Sequence, residues 1–218
     1  MGIAIQELIN DSVRDDESKE MTNWYVSKLG SCMRGHYLKR AGKEPDEPLE
    51  DRVYRIFSVG NQMEDWLVGL IMDHEDVDNA ETQVRVEDED LDISGYADLK
   101  IEQGDDERLY EIKTKNSNAF HYMRKKGEGA MRQHEMQLWT YLYLLDIEKG
   151  SIIYLSKDDL SILEYVIWRD DESLKDEVLS ELELLNEAWE KQDPSILPLP
   201  DEDWKADYCS YHEQCIEV

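Results

Sequence analysis

Residues 92–115 read DISGYADLKIEQGDDERLYEIKTK, and the fold prediction depends on this stretch. Apolar and polar residues alternate between 92 and 101, which is typical of a strand with one buried face. The segment 103–106 (QGDD) predicts a turn, and 108–115 predicts the partner strand. The stretch therefore predicts an antiparallel hairpin.

The register of this hairpin brings two carboxylates together. A turn centred between Gly104 and Asp105 places Asp98 directly opposite Glu111, with Cβ atoms about 5 Å apart. Lys113 shares the face of Glu111, because side chains alternate along a strand. Opposed carboxylates repel, but their oxygens are the ligands that Mg²⁺ prefers, so a divalent cation site is one interpretation. An exposed acidic strand in a protein rich in acidic residues is the other.

The rest of the chain predicts an α/β protein. Hydrophobic periodicity predicts helices over 21–41, 51–73, 128–147 and 171–191, and further strands over 82–86, 151–155 and 162–168. This order predicts a mixed sheet flanked by helices. We expect the N-terminal helices and an irregular C-terminal tail to pack together as a cap.

The overall charge argues against a polyanionic partner. The 218 residues include 52 acidic and 24 basic ones, a net charge of −28 that repels nucleic acid at long range. Two segments reverse this locally, because 31–43 has four basic and no acidic residues and 110–132 has six basic and two acidic ones. The candidate DNA-binding residues are Arg34, Lys115, Arg124, Lys125, Lys126 and Arg132.

Aromatic side chains near these segments are candidates for stacking on nucleobases. They are Phe120, His121, Tyr122 and Trp139. Core packing on a helix is the alternative for Trp139, and an ordinary solvated turn is the alternative for the basic residues at 124–126.

The hairpin motifs resemble a known nuclease superfamily. Gly95-x-x-Asp98, a turn and then Glu111-x-Lys113 are similar to the signature of the PD-(D/E)XK nucleases. The resemblance implies a restriction-endonuclease-like core, with a central mixed β-sheet flanked by helices. It also implies hydrolysis of phosphodiester bonds with Mg²⁺ or Mn²⁺.

Two further motifs resemble the RecB-like branch of that superfamily. Gln137-x-x-x-Tyr141 matches its QxxxY motif, and the i, i+4 spacing puts both side chains on one helix face. Gly60-x-x-x-Glu64 matches its first motif, with Glu where many members have His. The resemblance implies an exonuclease that acts on single-stranded DNA ends, with Gln137 and Tyr141 supporting the site and contacting the strand. The implied metal ligands are Glu64, Asp98, Glu111 and the main-chain carbonyl of Ile112, with Lys113 placing or activating the attacking water.

The three cysteines are too few for a disulfide framework. Cys32, followed by Met and Arg, and Cys209-x5-Cys215 resemble the iron–sulfur cysteines of CRISPR-associated RecB-type exonucleases, which have a fourth Cys where this chain has Ala206. The resemblance implies a 4Fe–4S cluster that lacks one cysteine ligand. The fourth ligand would be Asp207, His212 or water, and Zn²⁺ with His212 is a second option. Small buried hydrophobic cysteines are the third.

These expectations divide the chain into three parts. Residues 1–80 form a helical region with the first metal-ligand motif, 81–192 the nuclease core, and 193–218 a tail that packs on the N-terminal region. No stretch reaches the ~18 apolar residues that span a bilayer, so we expect a cytoplasmic protein without membrane contact. A non-catalytic DNA-end-binding or scaffolding module, working with a recombination, helicase or CRISPR-adaptation protein, is the alternative function.

Overall fold

A computed structural model describes residues 4–14, 21–104, 106–199 and 209–217, which form a six-stranded mixed sheet with helices on both faces. The α-helices are α1 Ile5–Val13, α2 Met33–Arg40, α3 Asp51–Met72, α4 Ser117–Lys126, α5 Arg132–Leu145, α6 Glu172–Lys191 and α7 His212–Glu217. The strands are β1 Trp24–Tyr25, β2 Asn79–Asp88, β3 Ile93–Gln103, β4 Asp106–Lys115, β5 Lys149–Ser156 and β6 Ile162–Trp168. Short 3₁₀ turns cover Val26–Lys28 and Pro194–Ile196.

The sheet combines a meander with one parallel crossover. β2, β3 and β4 are antiparallel neighbours, and β6 is antiparallel to β5. β4 and β5 are parallel, and α4 and α5 form the connection between them. β5 is buried along nearly all its length, as a central strand covered on both faces should be. The predicted α/β class with a central mixed sheet is confirmed.

Helices cover the two faces with separate apolar clusters. On one face, α5 and α6 pack on the sheet through buried side chains such as Leu138, Leu142 and Leu182. On the other face, Leu67 of α3 packs with Ile153 of β5 in a smaller cluster. The hydrophobic effect stabilises both layers, because apolar area is buried on the two sides of the same strands.

One edge of β3 is shared by two strands and leaves a gap between them. β2 pairs along the whole of one edge, so β1 and β4 must use the other edge. β1 pairs with Ile93 and Ser94, whereas the β4 ladder covers Leu99–Gln103. The residues 95–98 lie between these two ladders, and side chains of the candidate site occupy this gap.

Two local predictions are wrong, and one helix was not predicted. The predicted helix over 21–41 is broken into β1, a 3₁₀ turn and α2, because Gly30 adopts a φ of 71° that ends the turn. Residues 117–126 form α4, whose Asn116 N-cap and left-handed Gly127 are signals that the sequence contains. The tail is not wholly irregular, since it ends in α7.

The boundary predicted at residue 80 does not coincide with the end of an element. It falls inside β2, and β1 comes from the N-terminal region, so that region contributes strands to the sheet as well as helices. The reason is that β1, which precedes α3, and β2, which follows it, both pair with β3. Within the described residues, no helix combines the length and apolar character that crossing a bilayer requires.

Candidate active site

Glu111 lies at the centre of the candidate site, fully buried on β4. Its Oε1 accepts a hydrogen bond from Gln137 Nε2 at 2.7 Å and also contacts the Lys113 ammonium. Its Oε2 is buried and has no hydrogen-bond partner among the described residues. A buried carboxylate oxygen without a partner is costly unless it binds a cation or a proton. The residues here therefore fit a divalent metal ion.

Asp98 lies in the gap along β3. The predicted register holds from Gln103–Asp106 to Leu99–Tyr110, one pair short of Asp98 and Glu111. The Asp98 carboxylate accepts the backbone N–H of Ile112 at 2.8 Å. This hydrogen bond takes the place of a backbone bond between β3 and β4, whose pairing stops at Leu99 and Tyr110. It also holds the Asp98 carboxylate beside Glu111.

Tyr141 and Gln137 project from one face of α5 onto this gap. The two side chains contact each other at 3.4 Å, and the Tyr141 hydroxyl also bonds the backbone of Tyr96. A Cβ on Gly95 would lie 2.9 Å from the Tyr141 ring, so only glycine permits this approach. The close approach of Tyr141 thus explains why residue 95 is glycine, which the spacing of the sequence motif does not explain.

Glu64 reaches the same region from α3 on the opposite side of the sheet. Gly60, one turn earlier, lets the helix approach β4, since a Cβ there would lie 3.1 Å from Thr114 Oγ1. Burial, reinforced by Asp98, raises the pKa of Glu64 to about 7. Glu64 thus interacts electrostatically with Asp98 of β3 and Glu111 of β4.

The charged side chains of the site affect one another's protonation. Burial, opposed by Lys113 and reinforced by Asp98, raises the pKa of Glu111 to about 8. Burial lowers the pKa of Lys113, but Glu111, Asp98 and Glu64 outweigh it and hold the lysine pKa above its usual value. Lys113 is therefore a charged ammonium here, suited to orient water or stabilise negative charge rather than to remove a proton.

The carboxylates do not close on a common point as tightly as the cysteines do. Within the parts of the chain that the structure describes, the one trio of Cys, His, Asp or Glu ligand atoms lying within 4.8 Å of one another is Cys32, Cys209 and Cys215. The ligand oxygens of Glu64, Asp98 and Glu111 do not all lie within this distance of one another. Their mutual electrostatic effects nevertheless place them in one neighbourhood.

The three cysteines meet between α2 and α7. Cys215 Sγ lies 3.7 Å from Cys32 Sγ and 3.8 Å from Cys209 Sγ, and all three are free thiols. Hydrogen bonds from the two neighbouring thiols lower the pKa of Cys32 to about 3. Clustered sulfurs with one thiolate are suited to soft metals.

Neighbouring residues support this cluster. A Cβ on Gly35 would lie 2.7 Å from Cys209 Sγ, so glycine is required for the close approach. Arg34 Nε donates to the Leu197 carbonyl at 2.8 Å, and its Nη1 donates to the Cys215 carbonyl at 2.7 Å. The exposed His212 is not part of the trio. Ala206 and Asp207 lie outside the described residues.

The predicted DNA-binding residues separate into two groups. Arg34 is buried on carbonyl oxygens, which occupy its guanidinium, and the partly exposed Arg132 pairs with Glu177 and Glu135. The basic residues of the last turn of α4 are exposed at the surface. They are Arg124, Lys125 and Lys126, and Lys126 pairs with Glu128 at 3.2 Å. Lys115 lies half-buried on β4, two residues beyond Lys113.

Two of the predicted stacking residues are in the core. Phe120 and Trp139 have no exposed surface, because α4 and α5 turn these rings inward. The prediction that Phe120 stacks on bases is therefore wrong, and the core interpretation of Trp139 is correct. Tyr122 is 59% exposed and lies under Lys126, whose Nζ is 5.0 Å from the ring centroid.

Motif reasoning missed His134 and Tyr154, which are next to the lysines of β4. His134 Nδ1 lies 2.7 Å from the Tyr154 hydroxyl, and both side chains are buried. His134 precedes Gln137 by three residues and so shares its helix face, which is the signal that could have identified it. No comparable signal marks Tyr154, since its proximity arises from the pairing of β4 with β5.

Solved structures share this fold over most of their length. The crystal structure of SSO0001 aligns with a TM-score of 0.64 and 24% identity, covering 99% of this chain and 98% of that one. The alkaline exonuclease LHK-Exo from Laribacter hongkongensis gives a TM-score of 0.56 and 15% identity over 85% of this chain and 95% of its own. Its complex with dAMP gives 0.56 and 17%, covering 79% and 92%. No family model and no curated protein matches the sequence. The central mixed sheet flanked by helices is thus a fold that exonucleases also have.

Proposed function

We propose that this protein is a metal-dependent DNA exonuclease, related to the RecB-like branch of the PD-(D/E)XK nucleases. One observation carries the proposal: beside Lys113, Gln137 and Asp98, the buried Glu111 has an oxygen that finds no hydrogen-bond partner in the described part of the chain. The fold shared with an alkaline exonuclease, seen also with dAMP bound, supports DNA as the substrate.

In this proposal each residue has a defined role. Glu64, Asp98, Glu111 and the Ile112 carbonyl would hold Mg²⁺ or Mn²⁺, which would lower the pKa of the attacking water and offset charge on the scissile phosphate. Gln137 fixes the orientation of Glu111 through its 2.7 Å hydrogen bond. Tyr141 fills the gap along β3 beside Gly95 and contacts Gln137, and in this way it supports the site. The Lys113 ammonium orients the attacking water and stabilises the charge that develops on the phosphate.

The substrate in this proposal is a DNA end, with single strands favoured. The exposed basic turn of α4, with Tyr122 beside it, offers a positive and aromatic surface near the C-terminal end of β4. A cytoplasmic recombination, helicase or CRISPR-adaptation protein would be a suitable partner for such an activity.

A nuclease assay with a matched lysine control tests the proposal. End-labelled single- and double-stranded oligonucleotides are incubated with Mg²⁺, Mn²⁺ or excess EDTA. We expect Lys113→Ala to reduce cleavage by at least about 10²-fold, and Lys149→Ala, whose lysine pairs with Asp106, to leave it unchanged. Full activity in EDTA would refute metal dependence. DNA binding without cleavage in either metal would favour the non-catalytic alternative.

We also propose that Cys32, Cys209 and Cys215 hold an iron–sulfur cluster, with Zn²⁺ as the second option. The support is the convergence of the three free thiols within 4.8 Å. Such a site connects α2 with α7 near the two ends of the chain. Anaerobically purified protein should be brown and contain iron and sulfide, and Cys215→Ser should reduce both. A colourless preparation with neither iron nor zinc contradicts this assignment.

A further inference from the structure

β4 carries a second lysine on the face of the candidate site. Lys115 follows Lys113 by two residues, so both side chains leave the same face of the strand, about 6.7 Å apart along the backbone. Glu111 precedes Lys113 by the same step. The three side chains thus form one column that begins at the proposed metal ligand and ends at Lys115.

The neighbours of Lys115 hold its ammonium in position but do not neutralise its charge. Its Nζ lies 3.0 Å from Met131 Sδ and 5.7 Å from the centroid of the Tyr154 ring. Within the described ranges, no carboxylate forms an ion pair with it. Lys100 and Lys149, elsewhere on the sheet, both pair with acidic side chains. An unpaired, half-buried lysine is unexpected in a chain with 52 acidic residues.

The side chains that contact Lys115 are uncharged. The Tyr154 hydroxyl accepts the Met131 N–H at 3.0 Å and forms a hydrogen bond with His134 Nδ1, 2.7 Å away. Burial, assisted by Lys113 and Lys115, lowers the pKa of His134 to about 2, so the ring is neutral. This arrangement fixes the position of Met131 and Tyr154, and it supplies no counter-ion for the lysine.

We propose that Lys115 binds a backbone phosphate of the DNA strand next to the scissile one. The inference rests on the proposed nuclease function and assigns the site of strand contact within it. The column along β4 indicates the direction in which the DNA strand runs. Lys115 lies two residues beyond Lys113, which is proposed to act at the scissile phosphate, so the phosphate that it binds is the neighbouring one. An ammonium that is oriented by a sulfur and an aromatic face is available to an anionic ligand.

Salt dependence of binding tests this inference. Anisotropy of a fluorescein-labelled oligo(dT) is measured in EDTA over a series of NaCl concentrations. Loss of one phosphate contact should reduce the slope of log K against log salt by about 0.7 for a single strand in Lys115→Gln. Lys115→Arg should restore the slope, and Lys149→Gln should leave it unchanged.

The outcomes separate this inference from the proposed function. A Lys115→Gln slope equal to that of the wild type overturns the assignment of Lys115, while leaving the nuclease proposal intact. A wild-type protein that fails to bind the oligonucleotide at any salt concentration refutes both. Restoration by Lys115→Arg excludes misfolding as the reason for the change, since the backbone and the side chains that contact residue 115 are the same in both variants.

Discussion

Gly95 controls how closely α5 approaches β3. Gly95→Ala would place a Cβ 2.9 Å from Tyr141 Cε1 and 3.0 Å from its hydroxyl, so the ring must move out of the gap. We expect a loss of about 1–3 kcal/mol in the free energy of unfolding, measured by urea denaturation, together with reduced nuclease activity. Gly69→Ala on α3 is the control, because nothing lies within 4 Å of its Cβ, and it should be neutral or stabilising. Equal stability of the two variants would contradict the packing argument.

His36 makes stability depend on acid pH. It is buried against Trp24, and its Nε2 accepts the Tyr25 N–H at 3.1 Å. Burial, with smaller effects of Lys28, Arg40 and Lys39, lowers the pKa of His36 from 6.5 to about 3. Between these values the unfolded chain binds a proton that the folded protein does not. The folded state therefore loses up to about 1.4 kcal/mol per pH unit as pH falls through this window.

Comparison of two histidine variants isolates this effect. The free energy of unfolding is measured against pH for the wild type, for His36→Gln and for His74→Gln, whose histidine is exposed on the surface. His36→Gln should weaken the pH dependence below about 6.5, and His74→Gln should retain it. A wild-type curve that coincides with the His36→Gln curve argues against a neutral buried ring.

At the level of elements, the first turn of α6 depends on one carboxylate. Asp171 accepts the N–H groups of Ser173 and Leu174 at 3.0 and 3.1 Å. Asp171→Ala should cost about 1 kcal/mol of stability, measured by chemical denaturation. Glu50 occupies the same position on α3 without a side-chain bond, so Glu50→Ala should change stability by less than about 0.5 kcal/mol. A larger loss for Glu50→Ala would show that this difference in capping is unimportant.

The element scale also explains which helices the site requires. α5 brings Gln137 and Tyr141 to the gap, and α3 brings Glu64 from the other face of the sheet. α6 supports the N-terminal region, since Glu181 accepts the Gly30 N–H at 3.0 Å and Asn186 accepts the Trp24 indole N–H at 2.6 Å. Weakening α6 should therefore loosen β1, which borders the gap.

At the scale of the whole molecule, the net charge of −28 opposes compaction. Added salt screens this repulsion, because the Debye length falls from about 10 Å at 0.1 M to about 3 Å at 1 M. We expect the Tm, measured by scanning calorimetry without divalent metal, to rise over this range. NaCl and KCl should act alike if screening is the cause. A Tm that stays constant or falls would indicate that the acidic residues are spaced widely enough for their repulsion to be negligible.

The sequence alone determined the class of the fold and the elements that follow one strong periodicity. The hairpin register from Leu99–Tyr110 onward and the strand at 162–168 agree with the structure because alternation and turn chemistry are local properties. The motifs also selected Glu111, Lys113 and Gln137, which lie within hydrogen-bonding or ion-pair contact of one another.

Only the tertiary structure decided which charges remain available and where the strands part. Arg34 and Arg132 are equivalent to Lys115 in a count of basic residues, yet carbonyls and carboxylates from distant segments engage both arginines. The gap along β3 arises because β1 joins the same edge as β4, and pairing between segments so far apart in sequence has no local signature. Periodicity reports which side of an element faces the core, whereas the partner on that side depends on long-range packing.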